Sequence, residues 1–393
     1  MRIGINASFL RKPATGIGQV TINFLHILGD LCQEAPRLKD AEIFVYAEED
    51  FDLEMPARFH KRIFLPLWRR DDLIRKLWWE KYLLPAKANG DGCDLFISLY
   101  QSPTTIKYIG MKHIMVVHDM IPSLFPEYLD TMRKRLYQSD TEKGICGATH
   151  LVTVSEHTRT DLIERFNVKE KRISHAYIDI DPLFKKDVSD DDIERMMKKY
   201  TIEDGYIYAG GGLEIRKNAD GLLRAYKKLF ALHKSKNLTD QSGTKITFPK
   251  LVISGKLMPQ LAPLIIDVQK LVKELHLEEH VRILGFVPQE DLPALYKAAS
   301  FFCFPSHYEG FGMPVLEAMN IGTPVLTSDN SSLREVGGNA VMYCDDNDID
   351  DISAKMELLL KDQELRVEMQ EKGLVQAENF SWKSFVREVI DVQ

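Results

Sequence analysis

The stretch FPSHYEGFGMPVLEAMNIGTPVLTSD, residues 304–329, holds the most informative pattern in the chain. An apolar strand is predicted to end at Pro305, and a helix is predicted to begin at Pro314, where the missing proline N–H removes no hydrogen bond. Gly310 and Gly312 lie between them and allow a ligand to approach the backbone closely. A second strand, PVLTS, follows the helix. The stretch therefore predicts a strand–helix–strand unit with an open loop after its first strand.

The same alternation of short apolar runs and amphipathic segments extends over the whole chain. Segments such as LAPLIIDVQKLVKELH carry apolar residues at i, i+3, i+4 and i+7, which is typical of helices. Strands that are apolar on both faces and separated by helices form parallel sheets covered on both sides. The pattern predicts a doubly wound α/β architecture. The predicted strands lie within 2–7, 42–47, 94–99, 113–119, 150–155, 206–211, 250–255, 281–286, 301–305 and 324–328.

Length and polarity predict two domains. The chain has 393 residues, and a typical domain has about 150. The segment 178–204 is rich in Asp and Lys and separates two runs of strand–helix units, so we expect domains at 1–190 and 200–379. The expected ligand site of two such domains is a cleft between them, at the carboxyl ends of the strands.

Composition excludes several classes of protein. A net charge of −7 argues against a protein built to bind nucleic acid, and 45% apolar residues exclude a disordered chain. The five cysteines are odd in number and never spaced C-x-x-C, which favours free thiols in a reducing compartment. No signal-peptide core and no apolar run of about 18 residues is present, so we expect a cytoplasmic protein.

The loop in 304–329 has the features of an anion site. N–H groups of Gly312, Met313 and Val315 are expected to be free at the helix start, where the helix dipole favours an anion. Glu309 precedes the loop, and Glu317 lies one turn into the helix. One carboxylate suits a ribose diol and the other suits sugar hydroxyls beyond a diphosphate. The alternative is two surface glutamates that flank an ordinary turn.

A second candidate element is YAGGGLEIRKNADGLLRAYKKL, residues 208–229. It predicts a strand, a glycine turn and a helix, with Arg216 and Lys217 before the helix. Two cations at the carboxyl edge of a sheet can neutralise a diphosphate leaving group without a metal. They can equally be solvated surface charges. The dinucleotide fingerprint G-x-G-x-x-G fails here at Ile215, and it fails in TGIGQV at Thr21.

Three residues of the N-terminal half complete the candidate set. Gly16 and Gly18 follow the first predicted strand and suit a loop that approaches a phosphate, although a plain tight turn fits almost as well. His118 closes the predicted strand that begins at residue 113 and is expected to project toward the cleft. A single histidine at a strand end is also commonly structural.

These segments together resemble family 4 of the retaining glycosyltransferases, which have the GT-B fold. EGFGMPVLE carries two glutamates separated by seven residues, and GLEIRKN, LGFVPQEDLPALYKAA, GTPVLTSD, VVHDMIP, VTVSEHTRTDL and FSWKSFVREV are similar to family segments in the same order. The resemblance covers nearly the whole chain. It implies two Rossmann-like domains facing a cleft, with the terminal helix at 380–393 packed on the N-terminal, acceptor-binding domain.

The resemblance also implies roles for single residues. Glu317 would bind the ribose, Glu309 would contact donor-sugar hydroxyls, and Lys217 with Arg216 would hold the diphosphate. Many members carry an arginine where this chain has Gly211, so Arg216 is expected to substitute for it. The remaining donor contacts would come from the amides of Gly310, Phe311, Gly312 and Met313, from Val315, from His118 near the sugar, from Gly16 and Gly18 near the diphosphate, and from backbone at Val287 near the base.

The implied mechanism needs no metal and no cofactor beyond the donor. The departing diphosphate is expected to help accept the proton of the acceptor, on the same face of the sugar. Among the Asp-x-Asp sequences of the chain, Asp179–Ile180–Asp181 is the tidiest candidate for a metal site, and it is interpreted as a turn. The glutamates are not expected to work as the nucleophile and acid of a hydrolase.

The HDMIP segment resembles bacterial mannosyltransferases of O-antigen and other surface polysaccharides, which implies GDP-mannose as the donor. The expected acceptor is a glycan or a polyprenyl-diphosphate-linked oligosaccharide. Two alternatives stay open. One is a GT-B sugar-nucleotide epimerase, which needs no acceptor, and the other is a non-catalytic subunit of a polysaccharide assembly complex.

Residues 61–87 form a basic and aromatic stretch. They contain eight Lys or Arg residues against three acidic ones, and they include Trp68, Trp78 and Trp79. Such a stretch suits an anionic membrane at the inner face of the plasma membrane, or a lipid-diphosphate acceptor. A helix packed on the first sheet with a solvated face explains it equally well.

Overall fold

The computed structural model describes residues 1–66, 72–236 and 238–391. The chain forms two compact units, of which the second is Ile180–Asn379. The first combines Met1–Asp179 with the segment that begins at Phe380. The change of unit thus falls at the start of the polar segment 178–204. Val392 and Gln393, at the end of the predicted terminal helix, lie outside the described residues.

The described part of the first unit contains a seven-stranded sheet. Its strands are β1 (Arg2–Asn6), β2 (Glu42–Ala47), β3 (Phe59–Ile63), β4 (Leu95–Ser98), β5 (Lys112–Val117), β6 (His150–Thr153) and β7 (Ile173–His175). All pairs are parallel, in the order β3-β2-β1-β4-β5-β6-β7. Ile5 of β1 lies between Val45 and Ile97, and all three side chains are buried because helices cover both faces.

The helices of the first unit follow the strands. They are α1 (Gly16–Glu34), α2 (Asp72–Trp78), a π-helical turn (Trp79–Leu83), α3 (Leu84–Gly90), α4 (Ile121–Leu124), α5 (Met132–Gly147), α6 (Glu156–Phe166) and, after the second unit, α15 (Trp382–Asp391). The terminal α15 packs on α1, where the rings of Phe24 and Phe385 lie 6.3 Å apart.

Within the residues described for the second unit, six strands form a second parallel sheet. They are β8 (Ile207–Ala209), β9 (Leu251–Ser254), β10 (Val281–Gly285), β11 (Phe301–Phe304), β12 (Val325–Ser328) and β13 (Met342–Cys344). The order is β10-β9-β8-β11-β12-β13. Counted within the unit, this is 3-2-1-4-5-6, the order of a Rossmann sheet, and the first six strands of the first unit repeat it.

Helices again connect these strands, as the sequence pattern predicts, although the segment LAPLIIDVQKLVKELH is α-helical only from Val268 to Glu274. They are α7 (Asp190–Tyr200), α8 (Ala219–Lys236), α9 (Val268–Glu274), α10 (Leu292–Lys297), α11 (Met313–Ile321), α12 (Leu333–Gly337), α13 (Ile349–Lys361) and α14 (Gln363–Ala377). The side chain of Ser189 accepts the Asp192 N–H while Asp192 bonds back to the Ser189 N–H, and this capping box begins α7 within the polar segment 178–204.

The structure bears on two features that the sequence singles out, the cysteines and the basic stretch 61–87. All five cysteines lie in the described residues and carry free thiols, as predicted; only Cys146 is exposed. Of the basic stretch 61–87, residues 67–71 lie outside the described residues, and with them Trp68, Arg69, Arg70 and Asp71. In the part of the chain that the structure describes, no helix has the length and apolar character needed to cross a membrane.

Candidate functional site

Most candidate residues of the second unit lie on the loops that follow β8 and β11 or on α11, the helix after the second of these loops. These two strands are neighbours in the sheet, although three strand–helix units separate them along the chain. Ligands of doubly wound sheets bind at such a switch point, beyond the carboxyl ends of the strands. The topology therefore brings two segments together that the sequence separates by about ninety residues.

Glu309 is the centre of this region. Its buried Oε1 accepts from Lys217 Nζ at 2.5 Å and lies 2.8 Å from Arg216 Nη1. The Ser306 hydroxyl is 2.7 Å from the same oxygen. The Lys217 ammonium also lies 4.7 Å from the centre of the Phe304 ring, a favourable cation–π distance. The predicted sugar-binding glutamate and the two predicted diphosphate-binding cations thus form one cluster.

The charges in this cluster stabilise one another. Burial alone would raise the pKa of Glu309, but the positive charges of Lys217 and Arg216 outweigh it and lower the pKa to about 2. Burial and the neighbouring Arg216 charge lower the pKa of Lys217, while Glu309 opposes that shift. Glu309 is therefore a carboxylate at neutral pH and accepts hydrogen bonds only.

Hydrogen bonds to backbone carbonyls join the loop after β8 to the loop after β11. The carbonyl of Arg216 accepts from the His307 N–H at 2.7 Å, and the Ser306 hydroxyl lies 3.0 Å from the same oxygen. In return, the Arg216 guanidinium donates to the Tyr308 carbonyl at 3.0 Å. Arg216 also forms an ion pair with the partly exposed Glu214 at 2.9 Å. Arg216 is consequently held in place by backbone hydrogen bonds at the edge of the sheet as well as by its side-chain ion pairs.

The structure gives a physical reason for glycine at position 211. Gly211 has φ +90°, and a Cβ there would lie 3.0 Å from both the Phe304 ring and the Pro314 side chain. Any residue with a Cβ, including the arginine that the family resemblance implies, would be strained in this backbone. Arg216 and Lys217, in the short turn Ile215–Lys217, are cations that follow this position in the same loop.

The start of α11 differs in one respect from the prediction. Gly312, with φ +105°, precedes the helix, and a Cβ on it would lie 2.8 Å from Leu333 Cδ2. The Val315 N–H donates to the Gly312 carbonyl at 3.0 Å. The expectation of a free N–H at Val315 is therefore wrong, because the first turn of α11 already uses it.

Glu317 lies on the side of α11 that faces α10. Its Oε2 accepts from the Tyr296 hydroxyl at 2.9 Å. Burial raises the pKa of Glu317 to about 7; the negative charge of Asp181 adds to this shift, and the Tyr296 hydrogen bond opposes it. Glu317 is thus a partly protonated acceptor near neutral pH, in contrast to Glu309.

Asp181 and Val287 lie on the same unit as Glu317. Asp181 caps the short turn Pro182–Lys185 by accepting the Leu183 N–H at 2.8 Å, as its interpretation as a turn residue predicts. The amide of Gln289 donates to its other oxygen at 3.3 Å. Val287, the predicted base contact, is buried in the loop after β10.

In the described residues, no group of three or more His, Cys, Asp or Glu side chains is placed to hold a metal.

His118 lies in the first unit, directly after β5. Its Nε2 is 2.8 Å from the Leu99 carbonyl, an acceptor, so Nε2 carries the proton. Burial lowers the pKa of His118 to about 4, which leaves the ring neutral at pH 7. Nδ1 is then the nitrogen that can accept a hydrogen bond from a ligand.

The two N-terminal glycines begin α1. Thr15 caps the helix, and its hydroxyl accepts the Gly18 N–H at 3.2 Å. A Cβ on Gly18 would lie 2.1 Å from the Lys12 carbonyl oxygen, so this glycine permits a close approach of the chain to itself. Gly16 is exposed at the first position of the helix. Both glycines therefore lie in the first turn of α1, and the expectation that they belong to a loop or tight turn before the helix is wrong. A ligand role for Gly16 or Gly18 stays a prediction.

Comparisons with known proteins identify the family. The model for glycosyl transferases group 1 matches residues 192–376. The O-antigen chain mannosyltransferase B of Escherichia coli is 31% identical over 404 residues, which cover 100% of this chain and 99% of that protein. The chain belongs to the group 1 glycosyltransferases.

Solved structures confirm the GT-B fold of this glycosyltransferase. WaaG, a glycosyltransferase involved in lipopolysaccharide biosynthesis, superposes with a TM-score of 0.71 at 15% identity, covering 100% of this chain and 99% of its own. HepE of Anabaena, in complex with UDP and glucose, also gives 0.71 at 15% identity, with 100% and 98% covered. At such identities the likeness concerns the fold.

Two residues of the candidate site are not among those that the sequence predicts. Ser306 contributes a hydroxyl to Glu309, and its place one residue after the Pro305 strand end was a usable signal. Tyr296 bonds Glu317 from α10, and nothing in its local sequence indicates this contact. Both residues orient a predicted carboxylate, so they extend the candidate site without changing its chemistry.

Proposed function

We propose that this glycosyltransferase moves a mannosyl residue from GDP-mannose to a glycan or lipid-linked oligosaccharide in surface polysaccharide synthesis, with retention of anomeric configuration. The full-length similarity to the E. coli O-antigen chain mannosyltransferase B carries the choice of sugar and acceptor class. No nucleic acid takes part. We place the enzyme in the cytoplasm, at the inner face of the plasma membrane.

The donor residues have complementary roles in this proposal. Glu317 accepts from the ribose hydroxyls, and Glu309 accepts from the hydroxyls of the sugar. Lys217 and Arg216 balance the diphosphate, with the amides of Gly310, Phe311, Gly312 and Met313 as further donors. The base lies against Val287, and His118 accepts a sugar hydroxyl through Nδ1. This set is supported by the cluster around Glu309 and by the neutral state of His118.

The proposed reaction balances without a metal. The bond from the sugar C1 to the phosphate oxygen breaks and the bond to the acceptor oxygen forms on the same face. The acceptor proton passes to the leaving diphosphate, which departs as GDP. The fixed charges of Lys217 and Arg216 are already in place before negative charge develops on that oxygen, which lowers the barrier.

A donor panel tests the proposal. Purified enzyme is incubated with GDP-mannose, UDP-glucose or ADP-glucose and a mannose-terminated acceptor, and released nucleotide is measured with and without EDTA. We expect GDP release and an α-linked product with GDP-mannose, unaffected by EDTA. Absence of turnover with GDP-mannose would overturn the donor assignment. An epimerised sugar nucleotide formed without acceptor would instead support the epimerase.

A further inference from the structure

The described cations of the basic stretch 61–87 are largely engaged inside the first unit. Lys81 contacts Asp140 at 2.7 Å, and Lys76 approaches the buried Glu80 at 3.7 Å. Further ion pairs join Lys61 to Asp50, Arg62 to Asp91 and Arg75 to Glu48. Each of these cations is partly balanced by its partner, so the positive charge of this stretch does not by itself identify a membrane contact.

An apolar stripe runs along α2 and the π-helical turn. Ile74, Trp78 and Tyr82 are spaced four residues apart and are 40%, 51% and 57% exposed. The rings of Trp78 and Tyr82 lie 6.0 Å apart. The opposite side of the same segment is fully buried at Trp79 and Glu80. The segment is thus amphipathic, and Ile74, Trp78 and Tyr82 lie on its solvent-exposed side.

The neighbouring α5 adds a second stripe. Met132 and Leu136, again four residues apart, are 67% and 59% exposed. The two segments pack side by side, since Tyr137 of α5 donates to the Glu80 carboxylate at 2.8 Å. The basic residues Arg133, Lys134 and Arg135 lie between the two apolar residues of α5. Residues 72–90 and 132–147 together carry eight basic and four acidic side chains in a protein of net charge −7.

We propose that α2, the π-helical turn and α5 form one docking face for an anionic lipid bilayer. Exposed aliphatic and aromatic side chains on two segments that pack on each other, with a net excess of lysine and arginine over both, match an interface of acyl chains and negative headgroups. This inference rests on the proposed function, because a lipid-linked acceptor is available only at a membrane. It extends the surface to α5, which the sequence pattern did not indicate.

Vesicle binding tests the docking face with the full-length enzyme. Binding is measured by co-sedimentation with phosphatidylcholine vesicles and with vesicles that also contain phosphatidylglycerol. We expect binding to the anionic vesicles only, weakened by added NaCl. The double variants Trp78→Gln/Tyr82→Gln and Met132→Gln/Leu136→Gln should each weaken this binding about tenfold or more. The matched control is Val367→Gln/Val375→Gln on α14, where the two residues are 47% and 66% exposed.

The same samples are assayed with GDP-mannose and a water-soluble acceptor, which separates the two proposals. The docking variants should keep this turnover while losing vesicle binding, which also shows that they are folded. Failure of all enzymes to use GDP-mannose would affect the donor assignment alone. The docking face is overturned by wild-type protein that ignores anionic vesicles, or by docking variants that bind as well as the α14 control. It is equally overturned if the substitutions abolish self-association of the enzyme and leave vesicle binding unchanged.

Discussion

At the scale of single residues, the charge balance around Glu309 bears on how the proposed diphosphate would bind. Lys217 and Arg216 contribute two positive charges, and Glu309 and Glu214 contribute two negative ones. A diphosphate must therefore compete with a carboxylate. Glu309 is buried, whereas the side chain of Glu214 is 35% exposed and can be solvated when it releases Arg216. In the proposed donor complex, Glu214 is therefore the carboxylate that releases Arg216 to the diphosphate.

The substitution Lys217→Met should weaken GDP binding by about 10- to 100-fold, because a charge-assisted hydrogen bond contributes about 1.5–3 kcal/mol. Guanosine, which lacks phosphate, should bind the variant as it binds the wild type. Isothermal titration calorimetry measures both affinities. Lys227→Met, an exposed lysine on α8, is the control and should change neither. Equal losses for GDP and guanosine would show that Lys217 does not act on the diphosphate.

The proposed contact of Glu317 with the ribose predicts a pH dependence of GDP binding. With a pKa of about 7, the side chain is mostly protonated at pH 6 and mostly ionised at pH 8. Only the carboxylate can accept from both ribose hydroxyls, so the ratio of wild-type to Glu317→Gln affinity for GDP should rise about tenfold between these pH values. Phosphate ionisation cancels in this ratio because both proteins bind the same ligand. A ratio independent of pH would exclude Glu317 from ribose binding.

The same pKa has an effect on stability without nucleotide. The pKa of Glu317 is raised from 4.5 when unfolded to about 7 when folded, so the folded state binds the proton more tightly. This contribution to the free energy of unfolding is fully present below pH 4.5 and is lost as pH rises through 7. Urea unfolding of wild type and Glu317→Gln should therefore diverge over this interval. Parallel curves would contradict the assignment.

The residue scale also shows what the sequence can predict. Glu309, Glu317, Arg216 and Lys217 were predicted because charged residues next to glycine-rich turns are visible in a linear pattern. Their mutual contacts were not, since Lys217 and Glu309 are 92 positions apart and only the strand order brings them together. The availability of the Val315 N–H was misjudged for a similar reason, because it depends on how tightly the first turn of α11 closes.

At the scale of secondary structure, the turn before α11 depends on one glycine. Gly312→Ala should destabilise the second unit by about 1–2 kcal/mol through its positive φ, and by about 1–3 kcal/mol more through contact with Leu333. Gly212→Ala is the matched control, because Gly212 has φ +112° and a Cβ on it would have no neighbouring atom within 4 Å. Chemical denaturation compares the two variants. Equal losses would show that the Leu333 contact contributes nothing.

Element prediction succeeded where apolar runs were continuous and failed at the margins of the sheets. All ten predicted strands are present in the structure, most of them shortened at their ends. The missed strands are β3, β7 and β13. The burial of β3, with sequence FHKRI, alternates as expected of an edge strand, and β7 and β13 have only three residues each. Short or polar edge strands are defined by their neighbours in the sheet, which local sequence does not specify.

At the scale of the whole molecule, the first unit is completed by the end of the chain. The buried face of α15 contains Trp382, Phe385, Val386, Val389 and Ile390, and Phe385 contacts Phe24 of α1. The second unit has a separate core that is centred on residues such as Ile207, Leu251 and Phe301. Each unit therefore stabilises its own sheet, although the chain leaves the first unit and returns to it.

This arrangement predicts that a destabilising substitution in α15 lowers the stability of the first unit. Phe385→Ala removes a fully buried ring and should cost about 3–5 kcal/mol. In hydrogen exchange, amides of β1 and β4 should lose protection, whereas those of β8 and β11 should keep it, because local stability follows the core to which a strand belongs. Val375→Ala, at an exposed position of α14, is the control. GDP binding should persist in Phe385→Ala, since Glu309, Glu317 and Lys217 all lie in the second unit. Equal loss of protection in both sheets would show instead that α15 supports the two units together.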